Sequence, residues 1–166
     1  MYYKISDFIS DWKYESESTI KVFSSLTDET LSKKVHEKVR TAGRLAWHIV
    51  ISIGEMAHRT GLTFETVDEH TPIPATVSEI IKYYKQTSEN LIAEIKSKWN
   101  DETLMLEDNM YGEKWKRGTT LGVLNVHQIH HRAQLTTVMR LAGLKVPGVY
   151  GPSNEEWAAM GMQPEE

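Results

Sequence analysis

The chain contains no cysteine. That excludes a disulfide framework, a thiolate metal site and a protein thiol nucleophile. It also lacks a basic stripe: net charge is −4 at pH 7, which argues against a phosphate-backbone binder. No apolar run approaches the ~18 residues needed to cross a bilayer. The first residues show no charged-then-apolar pattern of a signal peptide, so the expected setting is cytoplasmic, with neither nucleic acid nor membrane as partner. Internal repeats and low-complexity segments are missing as well. What remains is ordinary for a globular protein: 166 residues, 40% hydrophobic and 25% charged. This suits one domain, residues 1–166, with one core.

Apolar spacing predicts four helices. The first runs from about Ser6 to Leu26, with Phe8, Trp12, Thr19, Phe23 and Leu26 at three- and four-residue steps. Thr27 to Glu29 reads as a turn, and Thr30 to Arg40 as loop or a short helical piece. The second helix spans about Thr41 to Thr60. Its Leu45, Trp47, Ile49, Val50, Ile51, Ile53 and Met56 surround it on most sides, the mark of a buried helix. Gly61 is its stop signal, and the stretch from Leu62 to Ala75, with Pro72 and Pro74, reads as a long crossover. The third helix opens at Thr76, whose hydroxyl and the Glu79 carboxylate fit a capping box. It ends near Trp99, with Val77, Ile81, Tyr84, Leu91 and Ile95 as its stripe. A linker from Asn100 to Gly118 follows. Thr119 or Thr120 is the expected cap of the fourth helix, which runs to about Leu141 and stops at Gly143. Beyond Pro147 the tail is polar, with Tyr150 and Trp157 as surface anchors. The fold expected is an all-α four-helix bundle.

The most informative pattern lies on the fourth helix. His127 and His131 are four residues apart, so they stack on one face about 6 Å apart along the axis. They fall in the stripe of Leu121, Leu124, Leu135 and Val138, where the helix should face its neighbours. His48 stands on the second helix beside Ile49 and also points inward. Two imidazoles at this spacing suit a transition metal, and three leave a fourth position free for chemistry. The competing reading is a set of buried histidines bonded to neighbours, but three in one core layer are hard to satisfy without an ion. His130 projects about 100° away and reads as a surface or interface residue. His36, His58 and His70 lie in polar settings. Glu55, seven residues after His48, is a candidate acceptor behind the ligands or a general base. Arg132 is expected to pair with a carboxylate on another helix or subunit, and Gln134 to hydrogen-bond across the bundle. Trp47 reads as core or pocket wall, and Trp115 as a cover over the site. Gly122, costly inside a helix by about 1 kcal/mol, suggests a close helix approach.

Several segments together carry a resemblance. Residues 127–135 (HQIHHRAQL), 139–147 (MRLAGLKVP), the Tyr150-Gly-Pro that follows, and the Leu45-Ala-Trp-His-Ile-Val stretch around His48 resemble the DinB-like metalloprotein family. This is the family of damage-inducible DinB proteins and YfiT-like thiol transferases, distinct from the DNA polymerase that shares the name. The resemblance covers nearly the whole chain. It departs at Ala133, where glycine is common. It implies an up-down-down-up four-helix bundle with a long crossover between helices two and three. It further implies a divalent metal, usually zinc or nickel, held by His48, His127 and His131, and dimers formed through helix faces. Three activities follow as expectations. The first is transfer of a low-molecular-weight thiol such as bacillithiol to small electrophiles. The second is metal-dependent hydrolysis with Glu55 as base. The third is a non-catalytic, stress-related metal-binding role.

Overall fold

A computed structural model describes residues 1–163. Four long helices make the bundle: α1 (Ile5–Phe23), α3 (Ala42–His58), α4 (Val77–Lys98) and α5 (Arg117–Leu141). Between α1 and α3 lies a single turn, α2 (Asp28–Leu31), and a last short turn, α6 (Asn154–Trp157), sits in the tail. α1 and α3 are diagonal to each other, and each packs on both α4 and α5.

Cross-bundle contacts fix the directions. Tyr2 N–H donates to Gly118 O, and Arg132 on α5 reaches Glu15 on α1, so α1 and α5 run parallel. Phe23 packs on Tyr84 while Ile5 N–H donates to Asp101, so α4 runs against α1. Trp47 packs on Tyr83 and Thr63 bonds Glu94, so α3 and α4 are parallel. The order is therefore up-down-down-up, as expected. Two parallel neighbours cannot be joined by a tight turn, because the chain must travel back the length of the bundle. Residues 59–76 make that return. They cling to the α3–α4 seam through Asn90 Nδ2 on Glu65 O and through Thr66, which sits so close that a Cβ on Gly54 would lie 2.5 Å from its methyl.

The core is built from the stripes read in the sequence. Phe8, Trp12, Phe23, Trp47, Tyr84, Leu91, Ile95, Leu124 and Leu135 are buried. One position is out of phase: Ile81 is only partly covered, and Ile80 is the α4 residue that fills the core there. Fully burying each such large apolar side chain stabilises the fold by roughly 1.5–3 kcal/mol. Trp47 Nε1 donates to Thr71 O at 2.9 Å, which satisfies its one polar atom. It is core and is not part of the wall of the cleft beside the histidines.

Helix ends differ from expectation in instructive ways. α1 stops at Phe23, three residues early, where Ser25 and Leu26 tighten the chain with bonds back to Val22 and Phe23. Thr27 does not sit in a free turn but caps α2 reciprocally with Thr30. Thr41 Oγ1 accepts from Arg44 N–H and starts α3. At Thr76 only half the capping box forms: its hydroxyl accepts from Glu79 N–H and donates to the Glu79 carboxylate.

The largest departure is residues 100–118. They are not a plain linker but a turn of 3-10 helix (Asp101–Met105) and an antiparallel hairpin, β1 (Glu107–Met110) and β2 (Glu113–Lys116). Its two-residue turn is Tyr111-Gly112, both at positive φ (58° and 91°), the geometry whose twist matches that of the strands. The hairpin feeds directly into α5. Arg117 N–H bonds Leu106 O at 2.9 Å, so the helix starts at Arg117 without a side-chain cap, and Thr119 and Thr120 are already inside it. Gly118 is required here, since a Cβ would lie 2.1 Å from Tyr2 O. No helix among the described residues is long and apolar enough to cross a membrane.

Candidate metal centre

α3 and α5 are antiparallel neighbours, and their facing sides bring His48, His127 and His131 together. One ring nitrogen from each lies within 4.8 Å of the other two. His48 Nε2 and His131 Nε2 are 3.1 Å apart. Two nitrogens on one tetrahedral ion at ordinary bond lengths would be about 3.4 Å apart. The rings meet edge to face, with centroids 4.4 Å apart for His127–His131 and 5.0 Å for His48–His127. All three are half-buried.

Electrostatics keep these rings neutral. Burial pushes His48 down to about 4, and the neighbouring His131, His127, Arg40 and Arg44 push the same way. Burial likewise lowers His127 to about 4; His131, His130 and Arg40 add to it, and Glu55 opposes. His131 is lowered by burial, against a hydrogen bond to Gln134 that raises it. A neutral imidazole is the form that binds a metal. His127 Nδ1 is buried with no hydrogen-bond partner among the described residues, and such a nitrogen is costly unless something takes its bond. The three-histidine group can hold a divalent metal ion.

Gln134 does not bond across the bundle. It stays on α5, where its Oε1 lies 2.8 Å from His131 Nδ1 and its Nε2 lies 3.0 Å from His130 Nε2. The self-consistent assignment is a donation from His131 Nδ1–H to the amide oxygen and from the amide N–H to His130. That fixes the His131 tautomer with its Nε2 lone pair facing the cluster. His130 itself is exposed, off the cluster, as expected.

His48 and His127 form part of the wall of a cleft of about 590 Å³. Trp115 and Tyr111 of the hairpin lie on it, as do Arg44 and Glu55. Trp115 thus stands where the sequence suggested a cover, although the element that carries it was not foreseen. Tyr111 was missed; the one available signal was a Tyr-Gly pair between two short polar runs. Glu55 is engaged on both oxygens: Arg59 Nε donates to Oε1 at 2.8 Å and Tyr111 OH to Oε2 at 2.6 Å. Burial and that carboxylate hold the Tyr111 phenol up at about 12, so it stays a donor.

Arg132, next to His131 in the chain, faces away from the site. It forms a buried ion pair with Glu15, Nη2 to Oε2 at 2.5 Å, and also bonds Glu15 O and Thr19 Oγ1. Tyr150 closes the pair from outside, its hydroxyl donating to the other Glu15 oxygen at 2.5 Å. The tail is anchored through a core ion pair, not only on the surface.

An up-down-down-up bundle with three imidazoles between two facing helices defines a class: helical proteins whose core layer can hold a metal ion. The chain belongs to the DinB family, whose sequence profile matches residues 1–166. It is 40% identical over 163 residues to the uncharacterized protein YrdA of Bacillus subtilis (strain 168), with 98% of each chain covered. A crystal structure of a DinB-like protein from Bacillus cereus ATCC 10987 has the same fold, with a TM-score of 0.86 at 39% identity over 90% of this chain and 100% of that one. A second DinB-like protein, YjoA of Bacillus subtilis, matches with a TM-score of 0.67 at 18% identity over 86% of this chain and 97% of that one, a likeness of fold alone.

Proposed function

We propose that this DinB-family protein holds a divalent ion, zinc or nickel, on His48, His127 and His131, and transfers a low-molecular-weight thiol, bacillithiol-like, to small electrophiles. The observation that carries the reading is the placement of neutral imidazoles in the wall of a cleft of small-molecule size, in a chain with no thiol of its own. Bound there, a divalent cation would be held by the three imidazoles and would lower the pKa of a thiol that joined them. The residues of the chain do the rest. Gln134 fixes the His131 ring. Ile51, Met56 and Val123 give the cleft an apolar wall, and the Tyr111–Trp115 edge, ring centroids 5.9 Å apart, narrows its mouth. Apolar walls exclude water from the nucleophile and seat the apolar part of an electrophile.

The hydrolase alternative needs a base with a free lone pair pointing at the reacting water. Glu55 is the candidate, yet both its oxygens are taken by Arg59 and Tyr111. It therefore acts to position the hairpin rim, which favours thiol transfer. A purely metal-carrying role fits a closed site better than one opening on a cleft. The resemblance adds a homodimer, and the sequence reading a cytoplasmic setting. Exposed Val126, one turn from Gly122 on α5, supports a second copy there; a monomer in sedimentation equilibrium would end that part of the reading.

The test is elemental analysis of untagged protein purified without chelator, followed by turnover of an aryl halide with bacillithiol or cysteine as thiol. One transition metal per chain and thiol-dependent turnover, both lost in His127→Ala, are expected. Metal without turnover across several thiols would discard transfer and keep the metal site. Turnover untouched by metal removal would overturn the reading.

A further inference from the structure

Four of the six arginines hold a carboxylate: Arg59 holds Glu55, Arg117 holds Asp108, Arg132 holds Glu15 and Arg140 holds Glu155. The remaining two, Arg40 and Arg44, hold none among the described residues; Arg44 lines the three-histidine cleft, and Arg40 precedes it by four residues. Arg44 lies one turn before His48 on the same face of α3, so its side chain joins His48 and His127 in the wall of the cleft. Arg40 stands just ahead of Thr41, the cap of α3, and its positive charge is felt by all three imidazoles. The arrangement is locally unfavourable. A cation in the first turn opposes the helix dipole, and no acidic residue in that turn offsets it. The cleft also holds two carboxylates: Glu55, bonded by Arg59 and Tyr111 and felt by His127, and Glu69, within the electrostatic reach of Arg59. A guanidinium that no carboxylate of the described residues pairs, beside a metal-binding group and in a cleft with an aromatic lip, suits an anionic ligand.

We infer that Arg44, supported by Arg40, binds a carboxylate on the small molecule that enters the cleft, so that the ligands preferred here are acids and not their neutral analogues. This rests on the proposed site for its cleft, though not for its charge. A guanidinium takes a carboxylate through two parallel N–H bonds, which orients as well as attracts. The carboxylate can be carried by the thiol or by the electrophile. For charge-assisted bonds at a solvent-facing site the preference should be about tenfold.

Binding is measured by titration calorimetry in two arms. Metal-loaded protein is titrated with mercaptosuccinate and with thioglycerol, an acidic and a neutral thiol. Metal-free protein is titrated with chloronitrobenzoate and with its amide, so that the arginines are read without a cation. The acid should bind about tenfold tighter than its neutral partner in at least one arm, which then identifies the carrier. Arg44→Ala should abolish the preference by weakening only the acid, with metal content unchanged, and Arg44→Lys should restore part of it. No preference in either arm, or a preference that survives in Arg40→Ala/Arg44→Ala, overturns the inference. A wild-type protein that takes up no metal would sink the transferase reading alone, because the metal-free arm still decides the role of the arginines.

Discussion

Replacing Gln134 by leucine separates the histidine cluster from its support. The substitution removes the acceptor 2.8 Å from His131 Nδ1 and the donor 3.0 Å from His130 Nε2, while the side chain stays close in size. His131 is then free to rotate and to place its proton on either nitrogen, and only one tautomer presents a lone pair at Nε2. Losing such a partner typically costs 10- to 100-fold in metal affinity, about 1.4–2.8 kcal/mol. Gln134 is exposed, and water competes for the same bonds, so the lower end, about tenfold, is expected. Metal-free stability should stay within about 0.5 kcal/mol of wild type, as for other surface changes. Competition against a chromogenic chelator gives the affinity, and urea denaturation of the metal-free protein gives the stability. Gln134→Glu supplies a stronger acceptor and should match or exceed the wild-type affinity. Equal affinities for wild type and Gln134→Leu, with both folded, would refute the argument.

His131→Ala should leave the bundle folded and empty of metal, whereas His130→Ala should change metal content little; elemental analysis of both decides, and full occupancy in His131→Ala would reject the ligand assignment. Arg132→Ala leaves the Glu15 carboxylate buried without its cation, which should cost about 3–5 kcal/mol in chemical denaturation; a loss under 1 kcal/mol would show that the pair is already solvated. Acid should destabilise the metal-free protein. His48 and His127 take up a proton near pH 6.5 when unfolded but only near 4 when folded. Unfolding between those values therefore binds protons, and stability falls as pH drops from about 6.5 to 4. Urea midpoints that are flat across this window, or a double variant His48→Ala/His127→Ala that keeps the full slope, would assign the effect elsewhere.

The four helices were legible because their period is strong and each buries one stripe. Thr76 was legible as a cap because a hydroxyl before an apolar run has one common use, and Thr41 only as the approximate start of α3. The three histidines were legible as inward-facing because they occupy core positions of those same stripes. The hairpin was not, since Glu107–Met110 and Glu113–Lys116 show no apolar alternation; Met110 alone is buried. Its strands form because the turn has the right twist and the bundle gives them a surface. As cleft residues, Tyr111 carried only the weak signal of a Tyr-Gly pair, and Arg44 none. Gln134 illustrates a different limit: spacing places it one turn from His130 and beside His131, yet only the rotamer decides whether it bridges them or reaches outward. The start of α5 was misplaced because a backbone carbonyl just ahead of β1, Leu106 O, takes the first N–H of the helix in place of a threonine side chain.

Putting imidazoles where the stripes call for leucine sets stability against function in one layer of the core. Neutral rings pack there, but each adds nitrogens that need partners, and His127 Nδ1 finds none among the described residues. A cation that binds the folded chain and not the unfolded one shifts the balance by mass action, about 2.7 kcal/mol at a hundredfold excess over the dissociation constant. Melting temperature thus becomes a measure of occupancy. Added zinc or nickel should raise it in wild type, less at the same concentration in Gln134→Leu, and not at all in His131→Ala. Arg132→Ala should start lower and rise by the same increment, because its ion pair with Glu15 and the cluster share α5 but no atoms. A wild-type protein whose melting point ignores both metals would mean that the three imidazoles satisfy one another, and that His48 donates to His131 across their 3.1 Å contact as a structural bond.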